Sequence, residues 1–263
     1  MELAVVTGAS GGIGREIAVS VSPLSDVTFL IGRDIDRLNE TAGSCDGRAE
    51  VVVADVTAPD SMQSALRLVG ETGVTNLLIV AAAGVIGPIC APGDETQEEW
   101  IETIETNLIG AYMTVHPFLP LLKTNSWARI VMVSSAQSLH GPDPVMSAYA
   151  TSKIALNAYA GSLAMQFEGT DVSVCAIHPG DVFTAMGEEI EEKASAAGPN
   201  AAHLADWARH VAGKGDDPRE AADLIRLIVR NPASWSNGRF LLTASGGIRH
   251  PDAGWSMPVG PSE

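Results

Sequence analysis

Tyr149 and Lys153 are ionisable residues whose spacing could support proton transfer. They lie four positions apart in Tyr149-Ala150-Thr151-Ser152-Lys153, at the start of a strongly helical stretch, and therefore share one helix face about one turn apart. A phenol with an ordinary pKa near 10 is a poor base at neutral pH, but a neighbouring ammonium stabilises the phenolate. The pair predicts a general acid/base, although the spacing alone is more often that of a solvated pair on a helix surface.

Other polar residues stand where hydrogen bonds to a ligand are expected. Ser134 and Ser135 end the apolar run Ile130 to Val133, and the carboxyl ends of parallel strands face the crevice in which ligands bind. Either serine could instead simply end the strand. Asn107 lies inside the helical segment Glu98 to Leu122, where asparagine has poor helix propensity. This predicts a local hydrogen-bonding reason, such as a kink that frees a carbonyl for water.

A glycine-rich turn follows the first apolar run and precedes a helical segment, in the order Thr7-Gly8-Ala9-Ser10-Gly11-Gly12-Ile13-Gly14. Such glycines let the backbone approach a pyrophosphate closely, and the following helix N-terminus offers N–H groups to the anion. The pattern is TGxxxGxG rather than GxGxxG, and a glycine cluster can also be a plain structural turn. Its position after a first strand favours a dinucleotide site.

The end of the second apolar run bears on the choice of cofactor. An acidic residue about 20 residues beyond the turn would bind the ribose 2′-hydroxyl of NAD(H), but the chain reads Ile31-Gly32-Arg33-Asp34 there. The Arg33 guanidinium can bind a 2′-phosphate, so NADP(H) is favoured over NAD(H). Asp34 counts against this, and Arg33 could also be a solvated surface charge.

Short apolar runs alternate with helical segments, and these are the elements that must position the polar residues. The runs are nearly continuous, as in strands covered on both faces. The alternation predicts an α/β fold with βαβ units wound into one parallel sheet. The predicted strands are Leu3 to Val6, Val27 to Ile31, Val51 to Ala54, Leu77 to Val80, Ile130 to Val133, Val172 to Ile177 and Phe240 to Leu242, and the other helical segments are Ile13 to Val21, Asp60 to Val69, Ala148 to Phe167 and Pro218 to Val229.

One pattern runs through all 263 residues, which predicts a single domain. The segment 185–214 lies outside the alternation of strands and helices and is expected to form a lid or substrate-binding insertion. Residues 248–263 are expected to form a tail beyond the last strand.

Composition excludes several classes of protein. Hydrophobic residues make up 46% and charged residues 18% of the chain, which supports a globular core. The formal net charge of -16 disfavours nucleic acid and anionic membranes as partners. The longest apolar run, Leu77 to Gly87, has 11 residues, well short of the ~20 of a membrane-spanning helix, and no secretion signal is visible. Three widely spaced cysteines without a CxxC pair suggest neither disulfides nor a zinc site, and favour the cytoplasm.

Together the motifs closely resemble those of the short-chain dehydrogenase/reductase family, over nearly the whole chain. This resemblance implies a Rossmann-type doubly wound parallel sheet of about seven strands with helices on both faces. The motifs are the turn from Thr7 to Gly14, Asp55-Val56, Ala83-Gly84, Asn107, Ser135, Tyr149 with Lys153, Pro179-Gly180 with Thr184, and Gly246-Gly247.

The resemblance also implies a role for each residue. Tyr149 would be the general acid/base, Lys153 would lower its pKa and bind the nicotinamide ribose, Ser135 would bind the substrate oxygen, and Asn107 would hold a water of a proton relay. Asp55 and Val56 would contact the adenine, and Val182 and Thr184 the nicotinamide amide and the phosphates. The expected cofactor-binding residues are Gly8, Ser10, Gly12, Ile13, Gly14, Arg33, Asp55, Val56, Ala82, Gly84, Tyr149, Lys153, Pro179, Gly180, Val182 and Thr184; no metal site is expected.

The chain departs from the family pattern in two places. Ala81-Ala82-Ala83-Gly84 replaces the usual Asn-Asn-Ala-Gly, so side-chain hydrogen bonds that brace the cofactor and the central strand are expected to be missing. Ser135 precedes Tyr149 by 14 residues, one more than is usual. Ala136 would restore the spacing but has no hydroxyl, so Ser135 is preferred, with Ser134 and Ser138 in reserve.

The expected function is that of an NADP(H)-dependent oxidoreductase that reduces a carbonyl or oxidises a secondary alcohol. The alternatives are a cofactor-binding regulatory or scaffold protein, and a lyase or epimerase in which transient oxidation is hidden. The substrate is expected to be a moderately hydrophobic ketone or alcohol. The family resemblance implies a homo-oligomer, a tetramer or dimer. Expected pocket residues are Gln137, Ser138, His140, Met146, Asp181, Met186 and the lid from Gly187 to Lys214; His140 and His178 would flank the site.

Overall fold

One sheet organises the chain in the computed structural model, which describes residues 1–62, 76–122, 126–139, 143–244 and 247–249. Among these residues the strand order is β3-β2-β1-β4-β5-β6-β7-β8. The strands are β1 (Leu3–Thr7), β2 (Val27–Gly32), β3 (Ala49–Val53), β4 (Asn76–Ala81), β5 (Trp127–Val133), β6 (Val172–His178), β7 (Phe240–Ala244) and β8 (Gly247–Arg249).

The first seven strands are parallel, and β8 pairs antiparallel with β7. The predicted doubly wound sheet of about seven strands is confirmed. The additional strand β8 was not predicted, since Ile248 was placed at the start of a tail; the rest of that tail lies outside the described residues.

The helices alternate with the strands as predicted. They are α1 (Gly12–Val21), α2 (Ile35–Gly43), α3 (Gln97–Ile104), α4 (Gly110–Val115), α5 (Ser147–Gln166), α6 (Ala185–Ala197), α7 (Ala202–Lys214), α8 (Pro218–Arg230) and α9 (Ala233–Ser236). A π-helical segment, Glu105–Ile109, joins α3 to α4. Most of the predicted helix from Asp60 to Val69 lies outside the described residues.

The core has two layers because successive residues of a strand point to opposite faces of the sheet. Leu3 and Val5 of β1 belong to one buried cluster, together with Leu156 of α5. Ala4 and Val6 belong to the other, which includes residues of α1 and α8. All five residues of β1 are buried, which explains why this strand reads as a continuous apolar run.

The strand order reverses beside β1, which has β2 on one side and β4 on the other. A crevice opens at such a point, beyond the carboxyl ends of the strands, and ligands bind there in sheets of this kind. The glycine-rich turn follows β1 and the loop around Gly84 follows β4. Both therefore lie at this crevice.

A third buried cluster connects the predicted lid to the crevice. It combines Ile190 of α6 and Leu204 of α7 with Met146 and Tyr149, at the start of α5. The segment 185–214 is thus two helices joined by a 3₁₀ turn, packed over the position of the predicted acid/base.

Arg129 is a buried arginine that sequence analysis did not single out. It lies on β5 with 1% of its surface exposed, and burial lowers the pKa of its guanidinium. The guanidinium stacks over Trp127, 4.5 Å from the ring centroid. It donates to the carbonyls of Ala128, Asp171, Ile228 and Asn231, at 2.7 to 3.1 Å. Arg129 therefore ties β5 to the end of α8.

Replacing Arg129 with methionine is expected to lower the free energy of unfolding by about 3 kcal/mol, because buried carbonyls lose their donors. The measurement is a urea unfolding curve. Arg230→Met is the matched control, since Arg230 is exposed at the end of α8 and its loss should cost less than about 0.5 kcal/mol. Equal stability of the two variants would contradict the structural role of Arg129.

Candidate active site

Tyr149 lies in the first turn of α5 and is only 9% exposed. Burial raises the pKa of its phenol, and a hydrogen bond with the Ser135 side chain lowers it by a smaller amount. The net direction is upward, so the phenol keeps its proton at neutral pH. A protonated phenol can donate a hydrogen bond, or a proton, to an oxygen placed beside it.

Lys153 follows one turn later on the same helix and is 5% exposed. Its Nζ donates to the carbonyl of Val133 at 2.9 Å and lies 5.6 Å from the centroid of the Tyr149 ring. Burial lowers the pKa of this ammonium to about 8. The predicted shared face is confirmed, and the alternative of a solvated surface pair is wrong because both residues are buried.

Asn107 lies in the π-helical segment and is 1% exposed. Its Oδ1 accepts the N–H of Val85 at 2.8 Å, and its Nδ2 donates to Val85 O at 2.9 Å and to Ser152 Oγ at 3.0 Å. A Cβ on Gly84 would lie 3.2 Å from Asn107 Oδ1 and 3.5 Å from Lys153 Nζ. Asn107 thus fastens the loop after β4 beside Lys153, which is the local hydrogen-bonding reason that its mid-helix position predicted.

The alanine-rich loop after β4 is braced from its neighbours rather than by its own side chains. Besides the bonds between Asn107 and Val85, the N–H of Ala82 donates to Thr7 Oγ1 at 3.3 Å. A Cβ on Gly8 would lie 2.8 to 2.9 Å from backbone atoms of Ala82 and Ala83. The turn after β1 and this loop therefore pack backbone against backbone.

The three candidate serines have different positions. Ser135 is the one whose side chain is hydrogen-bonded to Tyr149. Ser134 Oγ donates to the backbone carbonyl of Lys153 at 3.4 Å. Ser138 Oγ donates to Ser135 O at 2.6 Å and accepts from Asn157 Nδ2 at 2.7 Å. Because its hydroxyl is the one bonded to Tyr149, Ser135 is the serine best placed to bind a substrate oxygen. Ser138 supports Ser135 through the hydrogen bond to its carbonyl.

The glycine turn has the features that a bound pyrophosphate needs. Gly8 has φ +69°, and a Cβ on Gly14 would collide with the carbonyl of Gly8, so α1 packs closely against the end of β1. Among the described residues, no side chain caps the N-terminus of α1 and its first turn contains no acidic residue. Its N–H groups and partial positive charge are thus available to an anion.

A cleft of about 330 Å³, which we call the glycine-turn cleft, runs from this turn to Lys153. It brings together most of the predicted cofactor-binding residues: Gly8, Ser10, Gly12, Ile13, Gly14, Arg33, Asp55, Val56, Ala82, Gly84, Tyr149, Lys153, Pro179 and Thr184. Gly180, Val182 and Ser135 line an adjacent cavity instead, and Asn107 lies behind Gly84. These residues fit a dinucleotide with its phosphates at α1.

Two arginines line the end of the cleft near β2. Arg33 is 71% exposed, and its Nη1 lies 3.9 Å from Asp55 Oδ2. Arg37 was missed by sequence analysis, yet its guanidinium reaches the turn: a Cβ on Gly11 would lie 3.0 Å from its Nη2. The available signal was Asp34, whose type predicts a helix N-cap and so places Arg37 in the first turn of α2.

The two nearby carboxylates are already engaged. Asp34 Oδ1 accepts the N–H groups of Asp36 and Arg37, both at 3.1 Å, so Asp34 caps α2 and is not among the described residues that line the cleft. Burial raises the pKa of Asp55, but hydrogen bonds from the N–H and hydroxyl of Thr57 and the charge of Arg33 bring it below its usual value. Asp34, the acidic residue that counts against NADP(H) in the sequence, thus caps the N-terminus of α2.

The second space, which we call the lid cavity, has a volume of about 550 Å³ and lies under α6 and α7. Of the predicted pocket residues, Gln137, Met146, Asp181, Met186, Gly187, Ile190, His203, Leu204 and Trp207 line it, as does His178. Ser138 is not among the described lining residues, and His140 lies outside the described part of the chain. Asp143 lines the cavity and was not predicted. Tyr149 borders both the lid cavity and the glycine-turn cleft.

Two hydrogen bonds connect the loop after β6 to the end of the lid. Asp216, just after α7, accepts the N–H of Asp181 on its Oδ2 at 2.8 Å, and its own N–H donates to Asp181 O at 2.9 Å. The loop after β6 is thereby fixed to the end of the lid.

The sheet is doubly wound, a glycine-rich turn follows its first strand, and a buried tyrosine and lysine lie at its crevice. Together these features define a class of nucleotide-dependent α/β oxidoreductases. The chain belongs to the short chain dehydrogenase family, whose model matches residues 2–195. It is therefore an oxidoreductase of a family that binds a nicotinamide cofactor.

Two relatives illustrate this membership. Oxidoreductase UcpA from Salmonella typhimurium is 31% identical over 241 residues, which cover 89% of this chain and 90% of that protein. An uncharacterized oxidoreductase from Staphylococcus epidermidis is 32% identical over 188 residues, 71% of this chain and 80% of that protein.

Among solved structures, the KRED1-Pglu enzyme is 26% identical, has a TM-score of 0.80 and covers 91% of this chain and 100% of its own. A variant of actinorhodin polyketide ketoreductase with NADPH (24% identical, TM-score 0.77, 93% and 96% covered) and an NAD⁺-bound xylitol dehydrogenase (23%, TM-score 0.81, 93% and 98%) share the fold.

Two further features concern the described residues alone. None of their helices is long and apolar enough to cross a membrane. They contain no group of three or more His, Cys, Asp or Glu side chains placed to hold a metal ion.

Proposed function

We propose that this protein is an NADP(H)-dependent oxidoreductase that reduces a carbonyl, or oxidises a secondary alcohol, with Tyr149 as the general acid/base. The observation that carries the proposal is the position of Tyr149, which borders both the glycine-turn cleft and the lid cavity. A proton donor at that boundary can reach an oxygen in the cavity while a nicotinamide lies in the cleft.

Bound NADP(H) supplies or accepts the hydride. In the reducing direction Tyr149 donates its proton to the substrate oxygen, and the Ser135 hydroxyl binds the same oxygen and polarises the carbonyl. Lys153 stabilises the phenolate that remains and binds the nicotinamide ribose. Asn107 holds the loop after β4 in place; a water beside it would pass protons to Lys153. The helices α6 and α7 act as the lid of a single catalytic domain formed by residues 1–263.

The alternatives are not favoured by the site. A regulatory or scaffold protein has no need of Asn107, Ser135, Tyr149 and Lys153 together, yet all four are present and three of them are buried. A lyase or epimerase would form product without net consumption of cofactor. The test is the loss of absorbance at the reduced-nicotinamide band with NADPH, and then NADH, across a panel of ketones; no loss with any ketone would contradict the proposal.

The proposed preference for NADP(H) rests on Arg33 and Arg37, which both line the glycine-turn cleft and whose guanidinium groups are suited to bind a 2′-phosphate. Replacing both with alanine is expected to raise the KM for NADPH at least tenfold, because a charge-assisted hydrogen bond contributes about 1.5–3 kcal/mol. The KM for NADH should change little. Arg48→Ala is the control, since Arg48 pairs with Glu50 on the surface. A larger loss with NADH than with NADPH would show that NAD(H) is the cofactor.

A homo-oligomer, a tetramer or dimer, is proposed from the outer face of α4 and α5. Ile154 and Met165 on α5 are 44% and 75% exposed, and Tyr112 on α4 is 37% exposed. The centroid of the Tyr112 ring lies 5.8 Å from that of Tyr159 on α5, so the two helices that carry these exposed side chains are in contact. Large exposed apolar surfaces mark interaction sites, and a second copy would cover this one.

Replacing both Ile154 and Met165 with glutamate is expected to convert the oligomer to a monomer, because charges would be buried in the interface. Size-exclusion chromatography with light scattering measures the outcome. Ile35→Glu is the control, since Ile35 is 53% exposed on α2, outside this surface. An unchanged mass in the double variant would place the interface elsewhere.

We also propose a cytoplasmic location and a small-molecule substrate, with neither nucleic acid nor membrane as a partner. The three cysteines, Cys45, Cys90 and Cys175, are free thiols, as a reducing compartment favours. The net charge of -16 disfavours nucleic acid and anionic membrane surfaces as partners.

A further inference from the structure

The wall of the lid cavity has an unusual balance of charge. Among the described lining residues there is no lysine or arginine, whereas Asp143 and Asp181 both contribute carboxylates. Ile190, Leu204 and Trp207 make much of the rest of the wall apolar. The cations of the site, Lys153 and the two arginines, line the glycine-turn cleft instead. The two histidines of the wall, His178 and His203, lie beside the carboxylates of Asp181 and Asp143, so the cavity offers an anionic substrate no lysine or arginine among its described residues.

Asp143 and His203 form a polar pair within this wall. His203 Nε2 lies 3.0 Å from Asp143 Oδ2, and Asp143 Oδ1 accepts the N–H of Val145 at 2.9 Å. The pair joins the segment before α5 to lid helix α7, and the Asp143 side chain is only 10% exposed. A carboxylate offers about four acceptor positions, so these two bonds leave Asp143 able to accept further hydrogen bonds from the cavity.

We propose that the lid cavity binds an uncharged, largely apolar ketone or secondary alcohol that carries a second polar group, a hydroxyl or N–H donor, hydrogen-bonded by Asp143. This rests on the proposed function and adds the substrate class. A substrate carboxylate is disfavoured because it would be buried beside the carboxylate of Asp143, whose neighbour His203 is already engaged with it, and no lysine or arginine is among the described lining residues. A plain apolar ketone binds less well because it leaves a buried acceptor unused.

The cavity volume of about 550 Å³ is typical of sites for small organic ligands. Part of it borders Ile13, Pro179 and Thr184, which also line the glycine-turn cleft, so the substrate would occupy the remainder under the lid. A two-ring ketone is therefore a suitable probe size. His203, half-exposed on α7, holds the Asp143 carboxylate in place and is a positioning residue.

The test compares three probes of one shape: 2-tetralone, 6-hydroxy-2-tetralone and the 6-carboxylate of 2-tetralone. Binding to the protein saturated with NADP⁺ is measured by calorimetry, and turnover with NADPH by absorbance. The expected order of both affinity and kcat/KM is hydroxyl, then unsubstituted, then carboxylate, with about tenfold or more between the first and the last.

Asp143→Asn tests the residue itself, because asparagine keeps an oxygen for the Val145 N–H and removes the charge. The hydroxyl preference should fall about tenfold and the carboxylate should gain relative to the others. His203→Leu should weaken the same preference, because the Asp143 carboxylate loses the imidazole that holds it in place. Asp206→Asn is the matched control, since Asp206 pairs with Arg209 on the exposed side of α7, and it should preserve the wild-type order.

The outcomes separate the two proposals. Equal or tighter binding of the carboxylate, or an Asp143→Asn variant with the wild-type order, overturns the inference whether or not the ketones are reduced. The expected order of binding with no turnover of any probe by NADPH or NADH overturns the proposed function and leaves the ligand preference of the cavity standing.

Discussion

Replacing Tyr149 with phenylalanine is expected to lower kcat by a factor of about 10²–10⁴, which is the range of a general acid/base contribution. The substitution keeps the ring, which packs under the lid with Met146 and Ile190, and removes only the hydroxyl that is bonded to Ser135. Binding of NADPH, measured by fluorescence titration, should therefore stay within a few-fold of the unmodified protein. Undiminished turnover would exclude Tyr149 as the proton donor.

The same helix provides a matched control for this variant. Tyr159 also lies on α5, and its hydroxyl is buried without a hydrogen-bond partner in the described structure. Burial raises the pKa of that phenol to about 12, and Tyr159 is not among the described residues that line the glycine-turn cleft or the lid cavity. Tyr159→Phe removes an equivalent oxygen away from the site and is expected to retain full turnover. A comparable loss in both variants would point to packing of α5 rather than to chemistry.

Affinity for NADPH is expected to fall about tenfold between pH 7 and pH 9.5, because of Lys153. Burial lowers the pKa of this ammonium from 10.5 to about 8 in the free protein, so its charge is lost as the pH rises through that value. A bound anionic dinucleotide favours the charged form and raises the pKa. The complex then holds a proton that the free protein has lost, and the affinity must decrease as the pH rises above about 8.

Lys153→Met is expected to flatten this pH profile and to lower kcat at least a hundredfold, since the phenolate of Tyr149 loses its nearest cation. The measurement is the Kd for NADPH by fluorescence across the pH range, together with initial rates and a thermal unfolding curve to verify folding. Lys214→Met is the control, because Lys214 is exposed at the end of α7, and it should keep the wild-type profile. A pH dependence that persists in Lys153→Met would assign the titration to another group.

Much of the fold was predictable because its signals are local in the chain. The apolar runs of β1 and β5 are buried on both faces, and their composition shows this directly. The four-residue spacing of Tyr149 and Lys153 determines a shared helix face wherever the helix packs. The glycine turn likewise needs only the order strand, turn and helix. In each case the decisive neighbours are a few residues apart.

The remaining features depend on contacts between segments that are distant in sequence. Asp143 meets His203 across 60 residues, and Arg129 reaches the carbonyl of Asn231 across 102. The spacing of apolar and polar residues along the sequence does not indicate such pairings. The choice among Ser134, Ser135 and Ser138 also required the structure, because it depends on which hydroxyl points toward Tyr149. The extra residue between Ser135 and Tyr149 did not prevent that contact.

The π-helical segment Glu105–Ile109 has a consequence for the phase of the helix that carries Asn107. A π turn contains about one residue more than an α turn, and each residue of an α-helix advances it by about 100°. Residues after the segment are therefore rotated by one residue's step relative to a continuous α-helix. Deleting Glu105, which precedes Asn107 in the segment, would restore the α phase and is expected to turn Asn107 away from Val85 while every residue that lines the cleft is kept. The position of Asn107 thus depends on the number of residues in this segment as well as on their side chains.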